Sequence, residues 1–294
     1  MIWLIGCKGM LGTEIARQLT ENKIDFIGTD IDVDITNPQA LAEFIKGQSI
    51  TYIINCSAYT AVDKAESDAE FAKKLNEDGV RNIANLANQI HAKMIHISTD
   101  YVFDGTGTTP YTEDMKVSPL GVYGKTKAAG ESAIRQTLNE YYIIRTAWLY
   151  GWAGKNFVYT MIKAMNTHEA VKVVNDQKGS PTFASDLAEV IIMIVKNPNT
   201  PYGTYHCTDI GEITWWDFTN EIKKIGTELG LVTNKQCAVN PCTTEEYPTP
   251  AKRPAYSVLS KEKIQKTLDI KLPDWRESLR KFMKSEFFDK NRIL

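Results

Sequence analysis

The sequence lacks the cysteine and histidine patterns of disulfide-rich and zinc-binding proteins. Its five cysteines are an odd number, lie far apart and form no C-x-x-C pair. Its four histidines show neither H-x-x-x-H nor H-E-x-x-H spacing. These absences exclude a disulfide framework and give no indication of a metal held by imidazoles, so we expect reduced thiols and no bound metal.

The sequence also has little net charge and no long apolar run. Its formal net charge is -2 with no extended Lys/Arg cluster, which argues against a nucleic-acid-binding surface. The apolar segment 1–5 is too short for a signal peptide, and no apolar stretch approaches the ~18 residues of a membrane span. We therefore expect a cytoplasmic protein with neither nucleic acid nor membrane as a partner.

Short apolar runs alternate with segments of helical periodicity along the first half of the chain. The runs predicted as buried strands are Ile2–Ile5, Asp25–Gly28, Tyr52–Cys56, Lys93–Ser98 and Tyr142–Arg145. The segments predicted as helices are Leu11–Thr20, Pro38–Ile45, Asp68–Ile90 and Gly121–Leu138. Repeated strand-helix units predict an α/β protein with a Rossmann-type, doubly wound parallel sheet that has helices on both faces.

The second half of the chain is less regular. Seven prolines lie between residues 181 and 254, where two further amphipathic helices are predicted at Trp215–Leu229 and Trp275–Phe287. We expect a dinucleotide-binding domain over residues 1–150. Residues 151–294 are expected to form mainly a smaller, substrate-binding lobe, with some of its segments returning to the core of the first domain.

A glycine-rich loop follows the first predicted strand. Gly6, Gly9 and Gly12 form G-x-x-G-x-x-G, and a helical pattern begins within the motif. Glycines permit a tight turn and close approach of the main chain to a pyrophosphate, whose charge is met by the unpaired N–H groups of the following helix. Glycines are common in turns, but the position between a strand and a helix predicts a dinucleotide site.

An acidic residue lies where the second predicted strand ends. Asp30 follows the glycines by roughly 20 residues, the spacing at which a carboxylate binds the adenosine ribose, so NAD is favoured over NADP. Two alternatives stay open. Asp30 could be a solvated acid at a strand end, and a cation in a neighbouring loop could still admit a 2′-phosphate.

A hydroxyl, a phenol and an amine follow at positions that could bring them together. Thr99 lies at the carboxyl end of the fourth predicted strand, while Tyr123 and Lys127 are spaced at i and i+4 on one helix face. Holding a phenolate at neutral pH requires about 4 kcal/mol, because a free tyrosine titrates near ~10, and Lys127 is the available cation. Lys125 points elsewhere. A Y-x-x-x-K pattern alone could be an ordinary exposed pair.

Together, the glycine loop, the strand-end Thr99 and the Tyr123/Lys127 pair resemble the short-chain dehydrogenase/reductase superfamily. The resemblance implies that Thr99 is the catalytic hydroxyl and that Tyr123 is the proton donor. Lys127 would lower the pKa of the phenol and hold the nicotinamide ribose.

Longer segments narrow the resemblance to the dTDP-4-dehydrorhamnose reductase family. The segments that carry it are Asn55–Glu66, Ser98–Gly105, Val122–Lys127, Arg145–Tyr150, Asn175–Thr182 and Tyr247–Pro254. They extend along almost the whole chain and include the second lobe. The family resemblance implies reduction of the C4 keto group of dTDP-4-dehydro-6-deoxy-L-mannose to dTDP-L-rhamnose by NADH or NADPH, with NADH favoured.

The resemblance also assigns contacts with the ligands. The cofactor would contact Gly6, Gly9, Met10, Leu11, Gly12, Asp30, Asp34, Ile35, Ala58, Tyr59, Thr60, Ile97, Tyr123 and Lys127. The sugar nucleotide would contact Thr99, Asp100, Trp148 and Arg253. Of these, Trp148 offers a flat apolar face to a pyranose. Arg253 could pair with the diphosphate or form a structural salt bridge.

The quaternary structure and two other functions stay open. Some family members hold Mg²⁺ between glutamates at a dimer contact; Glu14 matches one of these, but Ser185 stands where another is expected. The resemblance therefore does not predict a metal-dependent dimer, although a homodimer is possible. The chain could instead be a sugar-nucleotide epimerase or dehydratase, or a non-catalytic partner similar to the regulatory subunit of methionine adenosyltransferase.

Overall fold

A six-stranded parallel sheet forms the centre of the computed structural model, which describes residues 1–293. The strands are β1 (Ile2–Ile5), β2 (Phe26–Thr29), β3 (Tyr52–Asn55), β4 (Lys93–Thr99), β5 (Tyr141–Thr146), β6 (Leu149–Tyr150), β7 (Ala170–Val174), β8 (Lys178–Gly179), β9 (Thr182–Phe183), β10 (Gly203–His206), β11 (Ile213–Thr214) and β12 (Ala238–Cys242). The helices are α1 (Met10–Glu21), α2 (Pro38–Phe44), α3 (Val62–Ala65), α4 (Ala69–Lys73), α5 (Val80–Gln89), α6 (Val122–Thr137), α7 (Phe157–Thr167), α8 (Ala184–Lys196), α9 (Trp215–Glu228), α10 (Glu262–Leu268) and α11 (Trp275–Lys284).

The strand order across the central sheet is β10-β5-β4-β3-β1-β2, and every neighbouring pair is parallel. The chain moves outward from β1 to β2 and then returns to the other side of β1 as β3. In an open parallel sheet, ligands bind at the carboxyl ends of the strands where the order reverses in this way. The topology therefore places a binding cleft beside the ends of β1 and β3.

Alternate residues of β1 pack into different cores on the two faces of the sheet. Ile2 and Leu4 join a core with apolar residues of α1 and α8, whereas Trp3 and Ile5 join one with residues of α2 and α5. A strand that is buried on both faces has no polar alternation, which is why it appears in the sequence as a continuous apolar run. The predicted doubly wound α/β fold is confirmed.

Two elements from the second half of the chain, one strand and one helix, pack with the elements of the first half. Strand β10 pairs with β5 at the edge of the sheet, and α8 packs against α1. A separate core contains Val158 of α7, Phe218 of α9 and Phe282 of α11, with short two-stranded pairings around it. Within residues 1–293, none of the helices combines the length and apolar character needed to span a bilayer.

The helix predicted over residues 68–90 is interrupted by a π-helical turn. Helix α4 ends at Lys73, residues 74–79 form the π-helical turn, and α5 begins at Val80. The turn faces α6, where a Cβ on Gly130 would collide with the carbonyl oxygen of Asn76. Single π-helical turns inside helices are frequent at functional sites, and this turn places Asn76 next to the cleft described below.

Candidate active site

The glycine loop brings main chain from β1, α1 and β3 into close contact. Gly6 has φ +78°, and a Cβ there would lie 2.8 Å from the amide nitrogen of Ser57. A Cβ on Gly12 would collide with the carbonyl oxygen of Gly6. Helix α1 begins at Met10 after Gly9, which provides no side-chain cap. The N–H groups of the first turn are therefore available to an anion, as a pyrophosphate requires.

A cleft of about 830 Å³ runs along the carboxyl ends of the strands from this loop to Trp148. The predicted ligand-contact residues that line it are Gly6, Gly9, Met10, Leu11, Gly12, Asp30, Asp34, Ile35, Ala58, Thr60, Ile97, Thr99, Asp100, Tyr123, Lys127 and Trp148. Tyr59 and Arg253 are not among the lining residues. The size suits a dinucleotide together with part of a second ligand.

The part of the cleft that follows β2 is acidic. Asp30 Oδ2 accepts a hydrogen bond from the Lys8 amide at 3.1 Å, and Asp30 Oδ1 accepts one from the Ile31 amide at 3.0 Å. Asp34 accepts hydrogen bonds from the amide and hydroxyl of Thr36, which lower the pKa of its carboxyl group. Ile31 is 93% exposed and lines the cleft, an apolar surface on which a flat ring can pack.

The loop after β3 is held by Asn76, a residue that no sequence pattern indicated. The buried Asn76, in the π-helical turn, accepts from the Tyr59 amide at 2.8 Å and donates to the Tyr59 carbonyl oxygen at 3.1 Å. The Tyr59 hydroxyl donates to Asp68 at 3.1 Å. The tyrosine side chain therefore lies outside the cleft, while its neighbours Ala58 and Thr60 line it.

Thr99, Tyr123 and Lys127 all line the cleft, and the hydroxyls of Thr99 and Tyr123 are hydrogen-bonded. Thr99 Oγ1 donates to Asp100 Oδ1 at 2.9 Å, and Lys127 Nζ donates to the carbonyl oxygen of Ile97 at 2.6 Å. Lys127 is 2% exposed, whereas Lys125, two residues earlier on α6, is exposed. The i, i+4 spacing thus brings the phenol and the buried amine to one cavity, as the sequence indicated.

The pKa of the phenol departs from the expected direction. Burial raises the pKa of Tyr123 to about 12, a hydrogen bond with Thr99 opposes the shift, and the charge of Asp100 adds to it. Lys127 was expected to lower this pKa, but its amine contacts the Ile97 carbonyl instead. Without a cofactor, burial therefore dominates, and Tyr123 keeps its proton at neutral pH.

Asp100 is a buried acid, and one of its carboxylate oxygens is unpaired. It is 1% exposed, and its Oδ2 atom has no hydrogen-bond partner. Burial raises its pKa to about 6, although hydrogen bonds from Ser257 and Thr99 oppose the shift. A buried, unpaired polar atom is costly, and because Asp100 lines the cleft, a ligand hydroxyl could satisfy it.

Trp148 has an unusual main-chain conformation. Its φ of +47° lies in the left-handed region that bulky residues rarely adopt. The indole stacks on Trp215 with ring centroids 3.6 Å apart, and a Cβ on Gly179 would lie 2.6 Å from it. These contacts hold the strained residue so that the indole borders the cleft.

Arg253 takes the alternative of a structural salt bridge. Its guanidinium donates to both carboxylate oxygens of Asp63, at 3.1 and 2.8 Å, and the Ala251 amide donates to the same carboxylate. This pairing lowers the pKa of Asp63. The two-point geometry that suits a phosphate is therefore occupied by a carboxylate.

Two exposed lysines that the sequence analysis missed also line the cleft. Lys74, the first residue of the π-helical turn, lies near Asp34, and Lys155 lies in the loop that precedes α7. An isolated lysine carries no sequence pattern that would have identified it. Both ammonium groups are exposed and could approach a phosphate group in this cleft.

Gln18 connects Glu14 and Ser185, the two positions at which some family members hold Mg²⁺ between glutamates. Gln18 Nε2 donates to Glu14 at 2.9 Å and to the Ser185 carbonyl oxygen at 2.8 Å, while Arg17 pairs with Glu14. Over residues 1–293, no group of three His, Cys, Asp or Glu side chains is arranged to hold a metal ion.

Comparisons with known proteins agree over nearly the whole chain. Residues 1–287 match the RmlD substrate binding domain family. The chain is 40% identical to a dTDP-4-dehydrorhamnose reductase of Escherichia coli K12, with 97% of this chain and 98% of the relative covered. The crystal structure of a dTDP-4-dehydrorhamnose reductase from Clostridium acetobutylicum is similar, with a TM-score of 0.89, 45% identity and coverage of 96% and 98%. A Bacillus anthracis dTDP-4-dehydrorhamnose reductase in complex with NADP has a TM-score of 0.89, 35% identity and the same coverage.

Proposed function

The chain belongs to the RmlD substrate binding domain family of dTDP-4-dehydrorhamnose reductases, and from that premise we propose that it reduces dTDP-4-dehydro-L-rhamnose to dTDP-L-rhamnose. The substrate would be the 4-keto sugar nucleotide and the reductant NADH or NADPH. The observation that carries the proposal is the meeting of Thr99, Tyr123 and Lys127 in one cleft with the glycine loop.

The residues of the cleft fit a nicotinamide dinucleotide. The loop from Gly6 to Gly12 leaves space that a Cβ would fill, and the first turn of α1 offers its N–H groups to the pyrophosphate. Lys127, whose amine now donates to the Ile97 carbonyl oxygen, would donate to the nicotinamide ribose. When bound in reduced form, the nicotinamide supplies the hydride.

The protonation state of Tyr123 suits a reduction. A ketone that accepts a hydride becomes an alkoxide, which needs a proton from a nearby donor. A phenol whose pKa is about 12 keeps its proton at neutral pH and remains a stronger acid than an alcohol. Tyr123 would donate this proton, while Thr99 would donate a hydrogen bond to the same oxygen after releasing Asp100.

The sugar would lie between Asp100 and Trp148. The unpaired Oδ2 of Asp100 would accept a hydrogen bond from a sugar hydroxyl, and the indole of Trp148 would pack on the pyranose ring. Lys155, at the same end of the cleft, would approach the diphosphate. Arg253 would reach the diphosphate only by sharing its pairing with Asp63.

NADH would be preferred over NADPH. Asp30 would lie at the adenosine ribose, and Asp32 and Asp34 would add negative charge around it, so a 2′-phosphate would be repelled. Lys8 in the glycine loop and Lys74 near Asp34 would partly offset this repulsion. We therefore expect NADPH to be used at lower efficiency rather than excluded.

The test is consumption of reduced cofactor with dTDP-4-dehydro-L-rhamnose, together with a panel of other keto-sugar nucleotides and both cofactors. Stoichiometric oxidation of NADH with formation of dTDP-L-rhamnose is the expected result. An epimerase or dehydratase would convert the sugar without net NADH consumption. A regulatory subunit would show no turnover and would instead co-purify with a synthetase, and either outcome would contradict the proposal.

A further inference from the structure

A buried chain of hydrogen bonds lies directly behind Lys127. His96 on β4 and Asn55 on β3 are both 0% exposed, and the imidazole lies between the Asn55 amide and the Lys127 amine. The side chains are linked over 3.2 Å from Asn55 Nδ2 to His96 Nδ1, and over 3.4 Å from His96 Nε2 to Lys127 Nζ. His96 has no role in the reduction as proposed above, although it contacts Lys127.

The hydrogen bonds of Asn55 determine which ring nitrogen carries the proton. The Ser57 amide and hydroxyl both donate to Asn55 Oδ1, at 3.0 and 2.6 Å, so the oxygen of the side-chain amide is identified. The amide nitrogen therefore faces His96, and an amide nitrogen can only donate. His96 Nδ1 must accept, and the proton of the neutral ring must be on Nε2.

This tautomer directs an N–H group at Lys127. A lysine ammonium has three donors and no lone pair, so it cannot accept from the Nε2–H of His96. A neutral amine can accept there and still donate to the Ile97 carbonyl, 2.6 Å from Nζ. The contact with His96 is thus satisfied only when Lys127 is neutral, and it disfavours the ammonium.

The charges around the pair are consistent with this orientation. Burial, and then the charge of Lys127, lower the pKa of His96 well below its usual value, so the ring is neutral. Burial lowers the pKa of Lys127 to about 8, against the opposing charge of Glu131 on the same helix. The other titratable groups around the amine are His96 on β4, the Cys56 thiol after β3, whose pKa burial raises to about 12, and the Tyr123 phenol one helical turn away on α6.

We propose that His96 is a positioning residue that presents its Nε2–H to Lys127 and keeps part of this lysine in the neutral amine form until the cofactor binds. The inference rests on the proposed function, in which Lys127 donates to the nicotinamide ribose. Ribose hydroxyl oxygens are acceptors and favour the ammonium, so cofactor binding draws a proton from solvent onto Nζ. Binding of NADH is then linked to proton uptake near pH 8.

The tautomer is measured directly by nitrogen NMR of the full-length protein labelled in its histidines. Neutral His96 with the proton on Nε2 is expected throughout the neutral range. A protonated His96, or a proton on Nδ1, would overturn the inference.

Proton uptake is measured by calorimetry of NADH binding at pH 8 in buffers of different ionisation enthalpy. About half a proton per site is expected, because a lysine with a pKa of about 8 is half neutral there. His96→Gln offers an oxygen acceptor to the Lys127 ammonium. It should raise the pKa of Lys127 by about one unit and so reduce the proton uptake at pH 8 about fivefold. His168→Gln, at an exposed position, is the matched control and should keep the uptake.

A second variant guards against misfolding of the first. Asn55→Asp replaces the donor with an acceptor, so His96 should carry its proton on Nδ1, accept from Lys127 through Nε2 and abolish the uptake. Undiminished uptake in either folded variant would refute the role of His96. These measurements need no turnover, so proton uptake by a protein that reduces no sugar would refute the proposed function alone.

Discussion

Replacing Tyr123 with Phe removes one oxygen from the centre of the cleft and keeps the aromatic ring. The ring packs edge-on against Tyr101 with centroids 5.5 Å apart, a contact that Phe preserves. Cofactor binding should stay nearly intact, because the glycine loop and the Lys127 amine, which supply other cofactor contacts, are not altered by the change. Only the proton donor is lost, so the change isolates the chemical step.

The magnitude follows from the acidity of the groups. Tyr123, with its pKa at about 12, would be replaced as proton donor by water at ~15.7. If about half of this difference is expressed in the transition state, the rate falls ~10²-fold. Loss of a fixed donor position adds ~10-fold or more, for a total of ~10³-fold or about 4 kcal/mol.

The assay is NADH oxidation with dTDP-4-dehydro-L-rhamnose, combined with a separate measurement of the NADH dissociation constant by fluorescence. The matched control is Tyr59→Phe, whose lost hydroxyl donates to Asp68 outside the cleft, so that both turnover and NADH binding should persist. Turnover of Tyr123→Phe within about tenfold of the unsubstituted protein would refute Tyr123 as the proton donor.

Three further predictions concern the cofactor, the buried acid and the salt bridge. Asp30→Ala should improve the kcat/KM for NADPH relative to NADH about tenfold, whereas Lys8→Ala should lower NADPH use and leave NADH use intact. Asp100, with its pKa raised from 3.8 to about 6, keeps its proton in the folded protein while the unfolded chain ionises, so stability falls as pH rises from about 4 to about 6 and then levels off. Relative to Asp100→Asn, the unsubstituted protein should therefore lose about 2.5 kcal/mol of unfolding free energy between about pH 4 and pH 8, measured by urea denaturation; no difference would contradict this. If Arg253 contacts the diphosphate as well as Asp63, Arg253→Met should raise the KM for the sugar nucleotide about tenfold, whereas Asp63→Asn should not. An equal rise in both variants would show that the Arg253–Asp63 pair only stabilises the local structure.

Much of the central sheet could be predicted because its inner strands are buried on both faces. Strand β1 occupies the same residues, Ile2–Ile5, that the apolar run indicated. Strand β10, Gly203–His206, has no such run, and it becomes a strand by pairing with β5 at the sheet edge. Pairing between distant segments leaves no periodicity in the local sequence, so this strand was missed.

The π-helical turn likewise combines a helix that the local sequence predicts with tertiary contacts that it does not predict. The apolar spacing over residues 68–90 predicts one helix, and the helical course is indeed retained. The wider turn, however, places Asn76 on the loop after β3, where it bonds both main-chain groups of Tyr59. From the sequence alone, an asparagine within an amphipathic segment is expected on the surface, because its hydrogen-bond partners in the folded protein are not known.

By itself, the sequence determined the elements whose geometry is local. The glycine loop between a strand and a helix, and the i, i+4 spacing of Tyr123 and Lys127, follow from the regular backbone and needed no knowledge of the rest of the chain. Tertiary structure alone decided what surrounds these groups. It paired Arg253 with Asp63, placed His96 behind Lys127 and raised the pKa of the phenol, because partners and burial depend on segments that meet only when the chain folds.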